Sequence, residues 1–341
     1  MRPNLTDLTL DLTEKCFQQC LYCSSDSSAM KHESLSFETV QRVLDDFYFL
    51  GGRVVELSGG EPLSYEKIYE IIDYASNKGF EIHLFTCAFL PKKSIDFDRL
   101  DNVDRFYVNL QAPTEAVHDY LAQSRGSFKR VLNFVNDCKK RSKWIGTHLV
   151  PLSLNIDEID EYVKMAELLK LDNVSLLRFV KQGRGKERSL SLNNDEIQHL
   201  FLLIEKYKNH PNLEFKAGCP LDFGFIYSKA QSACPCASGI SRCVVRPNGN
   251  VIPCPAFKDC LDFTAGNVNS DSLMDIWIKS AAFKRLRSFD YRKLGGICRT
   301  CSFLEVCRGR CHAQRYHFNG SLYKGPDPYC PLKLSTMGML K

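Results

Sequence analysis

Three cysteines, Cys16, Cys20 and Cys23, stand in CFQQCLYC with the spacing C-x3-C-x2-C. Thiolates are soft ligands for iron or zinc. Three on one short segment can hold three irons of a cubane cluster and leave the fourth iron open. Structural zinc usually takes four ligands, often from C-x2-C pairs, so a zinc knuckle here would borrow a side chain such as His32. A second set lies late in the chain. Cys236 and Cys254 come first, then Cys298, Cys301, Cys307 and Cys311 at C-x2-C-x5-C-x3-C, then Cys330. Of the 16 cysteines, 11 lie at or after position 219. Eight disulfides do not suit a reducing compartment. The N-terminus, MRPNLTDLTLDLTEKC, lacks the apolar stretch of a secretory signal. A cytoplasmic chain with clustered cysteines is expected to bind metal.

The elements that must carry these residues alternate. LTDLTLDLT (5–13) has the two-residue period of a strand, and Phe37, Val40, Val43, Leu44, Phe47 and Leu50 recur at helical spacing. Further strands are predicted at 54–60, 81–86, 105–112, 145–152 and 173–180, with helices at 65–79, 127–141 and around 156–169. Asn193 and Glu196 form a capping-box pattern opening a helix over 194–208. Six strand–helix units imply parallel strands joined by crossovers. They are too few for a closed eight-stranded barrel. The expected fold class is therefore α/β, a partial (β/α)6 TIM-type barrel, with a doubly wound sheet as the competing topology. Ligands sit at the carboxyl ends of the strands in both.

Beyond about 216, helical periodicity fades while cysteine, glycine and proline rise. The predicted division is a barrel over 1–215 and a small cysteine-rich iron–sulfur domain over 216–341. CVVRPNGNVIPC reads as a hairpin turning at Asn248-Gly249, and one amphipathic helix is expected over 272–289.

Composition excludes several classes. Hydrophobic residues at 44% and charged residues at 25% exclude global disorder. No run of about 18 apolar residues suggests a membrane span. A net charge of +5 is no nucleic-acid signature, although it suits an acidic redox partner. No G-x-G-x-x-G follows the first strand, which argues against a dinucleotide-binding dehydrogenase.

CFQQCLYC after a first barrel strand resembles the signature of the radical S-adenosylmethionine (SAM) enzymes. Ser58-Gly59-Gly60-Glu61-Pro62 matches that family's GGEP segment, which receives the SAM amino group. Carbonyls and a carboxylate accept from an ammonium, and glycine lets backbone come close. Tyr22 matches the aromatic position beside the adenine. TEAVHDYLAQSRGSFKRVL (114–132) resembles the stretch after strand four. Asn109 and Gln111 stand where the family has a Ser-Leu-Asp segment facing SAM, and Thr86-Cys87-Ala88 replaces Thr-Asn-Gly. Arg178, in LLRFVKQGRG, falls where the family places a basic group near the SAM carboxylate.

The late cysteines resemble the SPASM extension of the same enzymes. That resemblance implies two auxiliary [4Fe–4S] clusters, one on Cys298, Cys301, Cys307 and Cys330, the other on Cys236, Cys254 and Cys311. Cys219, Cys234 and Cys243 are candidates for the missing fourth ligand. Zinc in a ribbon-like domain is the plainer alternative. With three clusters and SAM, the implied chemistry is reductive cleavage of SAM to a 5′-deoxyadenosyl radical, followed by hydrogen abstraction from a substrate. Members with this extension often modify peptides or proteins, so the expected activity is oxidation or cross-linking of a peptide. A small molecule such as an amino sugar or tetrapyrrole is the alternative. The leader-binding module common in peptide-modifying relatives has no room ahead of Cys16. The implied partners are the substrate and an electron donor such as a flavodoxin or ferredoxin, with no nucleic acid and no membrane. No residue stands out as the general base.

Overall fold

The computed structural model describes residues 3–334, except 92–93, 188, 219–220, 222 and 227–235. Cys219 and Cys234 lie outside the described residues. The strands are β1 (Asp7–Asp11), β2 (Val54–Ser58), β3 (Glu81–Thr86), β4 (Arg105–Asn109), β5 (Trp144–Leu149), β6 (Asn173–Leu176), β7 (Glu214–Ala217), β8 (Arg242–Val245), β9 (Asn250–Ile252) and β10 (Gly266–Asn267). The fold class is the expected one, α/β with the parallel sheet of a partial TIM-type barrel followed by a cysteine-rich region. Two compact units make up the chain.

The first unit comprises residues 1–147, 181–188 and 237–288. Its strands β1 to β4 pair in parallel and in sequence order. β1 carries alternating residues for a physical reason. Leu8 and Leu10 are fully buried on one face, while Thr9 on the other donates to Glu56 Oε2 at 2.6 Å. Glu56 Oε1 also accepts from Arg242 Nη2 at 3.0 Å, so this carboxylate is spent on bracing the sheet. The helix Phe37–Phe49 is capped by Ser36, whose side chain accepts from the Thr39 amide. It buries Val40, Val43, Leu44 and Phe47, the positions its periodicity marks. Each such side chain contributes roughly 1.5–3 kcal/mol.

The hairpin of β8 and β9 turns at Asn248-Gly249 as expected. β8 then joins β1 in parallel, with Leu8 opposite Cys243. This pairing makes residues 237–288 part of the first unit. Cys243, fully buried, shares Leu8's face of the sheet. The helix expected over 272–289 is two, Leu273–Lys279 and Ala281–Arg287, because Ser280 between them is extended with ψ 132°.

The second unit comprises residues 148–180, 189–236 and 289–341. β6 and β7 pair in parallel within it. β7, EFKA, eluded sequence reading because it is short and shows no apolar alternation. The helix Asn194–Tyr207 opens with the predicted reciprocal cap between Asn193 and Glu196. The tail carries only short helices, Leu304–Cys307, His312–Asn319 and Pro331–Leu334. No helix among the described residues is long and apolar enough to cross a membrane.

Candidate functional site

Cys16, Cys20 and Cys23 lie on the loop after β1. None of the fourteen described cysteines is in a disulfide. The loop is tied at several points. Cys16 N donates to Ser28 O at 3.1 Å, Cys23 N to Cys20 O at 3.2 Å, and Leu21 N to Leu121 O at 2.9 Å. Burial, with the neighbouring Cys23 and Cys16, raises the Cys20 thiol far above its ordinary value. Cys87, after β3, hydrogen-bonds Cys16, which holds Cys16 below its ordinary value and pushes Cys87 up. Among the described residues, no three His, Cys, Asp or Glu side chains are grouped as a single-ion site. Three soft thiols on one loop, joined electrostatically at Cys20, fit the donor set of an iron–sulfur cluster.

The Gly59–Pro62 turn closes β2 against this loop. Gly60 N donates to Thr13 O at 2.6 Å and Glu61 N to Lys15 O at 2.8 Å. The approach is possible only without side chains. A Cβ on Gly60 would stand 2.3 Å from Lys15 O, and one on Gly59 (φ +131°) would stand 2.6 Å from Thr13 O. Glu61 is fully buried. Its Oε1 accepts from Leu63 N at 3.1 Å and Thr86 Oγ1 at 2.7 Å, and its Oε2 from Cys87 N at 2.8 Å. Burial raises it above the ordinary carboxylate range against these bonds. The carboxylate braces the ends of β2 and β3. The carbonyls of the turn, rather than this side chain, are the groups suited to an incoming ammonium.

Tyr22, Asn109 and Gln111 come together beside Cys20. Asn109 Oδ1 accepts from Tyr22 OH at 2.9 Å and from Gln111 Nε2 at 2.6 Å, and its Nδ2 donates to Cys20 Sγ at 3.9 Å. Behind them runs a network that sequence reading missed. Gln111 N donates to His118 Nδ1 at 3.1 Å, so His118 carries its proton on Nε2 and faces Ser127 Oγ at 3.0 Å. Ser127 Oγ accepts from Gln18 Nε2 at 2.6 Å, inside the cysteine loop. The signal was present in TEAVHDYL, but not the direction of the ring.

His118 is fully buried, and desolvation lowers its pKa from 6.5 to about 4. The unfolded chain takes up this proton first, so native stability is lost as pH falls from about 6.5 to about 4. At 1.36 kcal/mol per pH unit the loss reaches roughly 3 kcal/mol. Thermal unfolding followed across that range is expected to show a flatter acid limb in His118→Asn; an unchanged limb refutes the assignment.

Arg184 is a second residue missed. Gly183 (φ +55°) turns so tightly that a Cβ would stand 2.6 Å from Cys23 O. Arg184 N then donates to Cys23 O at 3.0 Å, and its Nη1 donates to Cys20 O at 3.0 Å. This clamp places a permanent cation beside the thiols. The Gly-Arg-Gly run was visible in the sequence, though its return to residues 20–27 was not.

Arg178, expected near a SAM carboxylate, is placed otherwise. Its Nη1 lies 2.7 and 2.9 Å from the two carboxylate oxygens of Asp327, with both side chains 2% exposed. Its guanidinium stacks 3.8 Å from the Tyr329 ring centroid. Asp327 also accepts from Cys311 N at 3.2 Å and Tyr329 N at 2.9 Å, and its carbonyl from Cys330 N at 2.9 Å. The pair organises the tail cysteines.

Those cysteines are grouped in the second unit. Cys298 feels the charges of Cys330 and Cys301, Cys307 that of Cys330, and Cys330 that of Cys301. Burial pushes the Cys298 and Cys307 thiols up to about 11. A bound metal would hold them deprotonated. Cys236 and Cys311 also lie in the second unit, and Cys254 in the first. Cys243, on Leu8's face of the sheet, has Arg287 as its charged neighbour.

The radical SAM superfamily model matches residues 10–166, and the SPASM iron–sulfur cluster-binding domain model matches residues 234–302. The AdoMet-dependent heme synthase of Methanosarcina barkeri is 26% identical over 340 residues, which are 94% of each chain. Streptococcus suis SuiB bound to its precursor peptide SuiA superposes with a TM-score of 0.79 at 19% identity, over 96% of this chain and 76% of that one. Native anSMEcpe with bound AdoMet and the Cp18Cys peptide gives 0.73 at 16% identity, over 98% and 95%. The chain belongs to the radical SAM enzymes that carry a C-terminal SPASM iron–sulfur domain.

Proposed function

We propose that the protein reductively cleaves SAM on a cluster held by Cys16, Cys20 and Cys23 and uses the resulting radical to oxidise a substrate. The observation that carries this reading is the seating of three free thiols beside both the Gly59–Pro62 turn and the Tyr22–Asn109–Gln111 group. When bound, the cluster supplies the single electron that breaks a carbon–sulfur bond of SAM. The protein's part is binding and orientation. The carbonyls of Gly59 to Pro62 receive the amino group, with Glu61 holding the turn. Tyr22 would lie beside the adenine, and Asn109 and Gln111 would offer amides to the polar edge of SAM. Arg184 adds positive charge to the loop, and the buried His118–Ser127–Gln18 chain keeps it in register.

Residues 1–215 are assigned the radical step and 216–341 the auxiliary centres. Cys298, Cys301, Cys307 and Cys330 would hold one cluster. Arg178 serves the tail through Asp327 rather than SAM. Clusters held by these cysteines would supply an acceptor for one electron from the substrate, and a flavodoxin or ferredoxin is the proposed source of reducing equivalents.

Two substrate classes are in play. The AdoMet-dependent heme synthase, similar along 94% of both chains, supports a tetrapyrrole. A peptide is the second reading, and the likeness to structures holding peptides supports only a fold able to serve it. The test is anaerobic reconstitution with iron and sulfide, then dithionite and SAM. The wild type is expected to release 5′-deoxyadenosine and Cys16→Ala none. Equal release from both would defeat the reading. Iron-porphyrin precursors and peptides, supplied in turn, separate the substrate classes by which one consumes SAM stoichiometrically.

A further inference from the structure

Arg315 lies on the helix His312–Asn319 and is fully buried. One of its nitrogens, Nη2, donates to Leu322 O. Among the described residues, its Nε and Nη1 have no hydrogen-bond partner. Burying a guanidinium with two unpartnered nitrogens, three N–H groups, costs several kcal/mol unless an anion answers it. The site is nevertheless built to hold it there. Gly309 (φ +79°) leaves the space, since a Cβ on it would stand 2.4 Å from Nη1. The Phe289 ring lies 5.5 Å from the guanidinium carbon.

The neighbouring acid does not serve as its partner. Asp327 is engaged by Arg178 Nη1 at 2.7 and 2.9 Å and by the Cys311 and Tyr329 amides. The other groups acting electrostatically on Arg315 are the cysteines Cys298, Cys307 and Cys311. Protonated thiols are poor acceptors. A four-thiolate [4Fe–4S] centre would instead present an anion and several sulfur acceptors.

We propose that Arg315 is the built-in counter-charge and hydrogen-bond donor of the cluster on Cys298, Cys301, Cys307 and Cys330, and that it sets that cluster's reduction potential. The inference rests on the auxiliary-cluster reading above. Reduction adds a negative charge to the centre. A buried cation beside it stabilises the reduced form and raises the potential, as net charge and hydrogen bonds to sulfur do generally.

The test compares reconstituted wild type, Arg315→Leu and Arg315→Lys by iron and sulfide content and by potentiometric titration followed by electron paramagnetic resonance. The auxiliary signal is the one lost in Cys298→Ala; the SAM-site signal is the one that changes on adding SAM. In Arg315→Leu the auxiliary midpoint is expected to move to more negative potential, or the cluster to be lost with about four irons per chain. Arg315→Lys keeps the charge and is expected to fall between, which holds the proposal testable if the leucine variant does not fold. The SAM-site midpoint stays in place in both. Arg315→Leu or Arg315→Lys with full iron and an unshifted auxiliary midpoint overturns the assignment to Arg315. A wild type with no iron beyond that of the SAM site overturns the auxiliary-cluster reading itself.

Discussion

Gly60→Ala is expected to lower 5′-deoxyadenosine formation about a hundredfold. The added Cβ would lie 2.3 Å from Lys15 O, 2.7 Å from Lys15 C and 2.9 Å from Glu14 O. These are backbone atoms and cannot rotate away. Relief requires a shift of about an ångström in the turn or in the residue directly before Cys16. A misplacement of that size costs about 10²-fold in a reaction that depends on held geometry. The same shift breaks the Glu61 N bond to Lys15 O at 2.8 Å. SAM affinity is therefore expected to fall together with turnover. Gly295→Ala is the matched control, because its Cβ would meet Tyr323 O at an ordinary 3.6 Å. Single-turnover cleavage with dithionite, read beside iron content, checks the result. Wild-type rates in Gly60→Ala would mean that the turn does not seat SAM.

Asp327→Ala is expected to destabilise the protein by about 3–5 kcal/mol, the usual cost of stripping one partner from a buried ion pair. Both side chains are 2% exposed, so water cannot take over the Arg178 charge. The amides of Cys311 and Tyr329 lose their acceptor at the same time. The measurement is the urea midpoint of the anaerobic protein. Removing both charges in Arg178→Met/Asp327→Leu is expected to recover much of the loss, since an apolar pair leaves no buried charge behind. An Asp327→Ala midpoint equal to wild type would show the pair to be dispensable. The variant also tests the tail as a cysteine holder. The Asp327 carboxylate fixes the Cys311 amide, so iron content is expected to drop with stability.

Local features were readable from the chain because they are short-range. The helix Phe37–Phe49, the capping box at Asn193 and Glu196, and the turn at Asn248-Gly249 depend on residues a few positions apart. So does the three-thiol loop, whose chemistry follows from ligand type and spacing. What the chain leaves unread lies where the deciding partner is remote. Glu61 and Arg178 are charged residues beside functional motifs, and sequence alone supplies no reason to expect Thr86 with Cys87, or Asp327 149 residues away, as their partners. The partner of Cys87 is remote in the same way; only the meeting of β3's end with the cysteine loop sets it against Cys16.

The sequence by itself determined the α/β alternation and the clustering of soft ligands, since each rests on periodicity or on the spacing of side chains along one segment, and its motifs carried the resemblance to the family. Only the tertiary structure decided where Arg184 and Gly183 return, which side of β1 receives β8, and that Arg315 is buried with donors unmet among the described residues. Those outcomes depend on which distant backbone segments pack closely enough to exclude water, and burial is what turns an ordinary charge or amide into a positioning group.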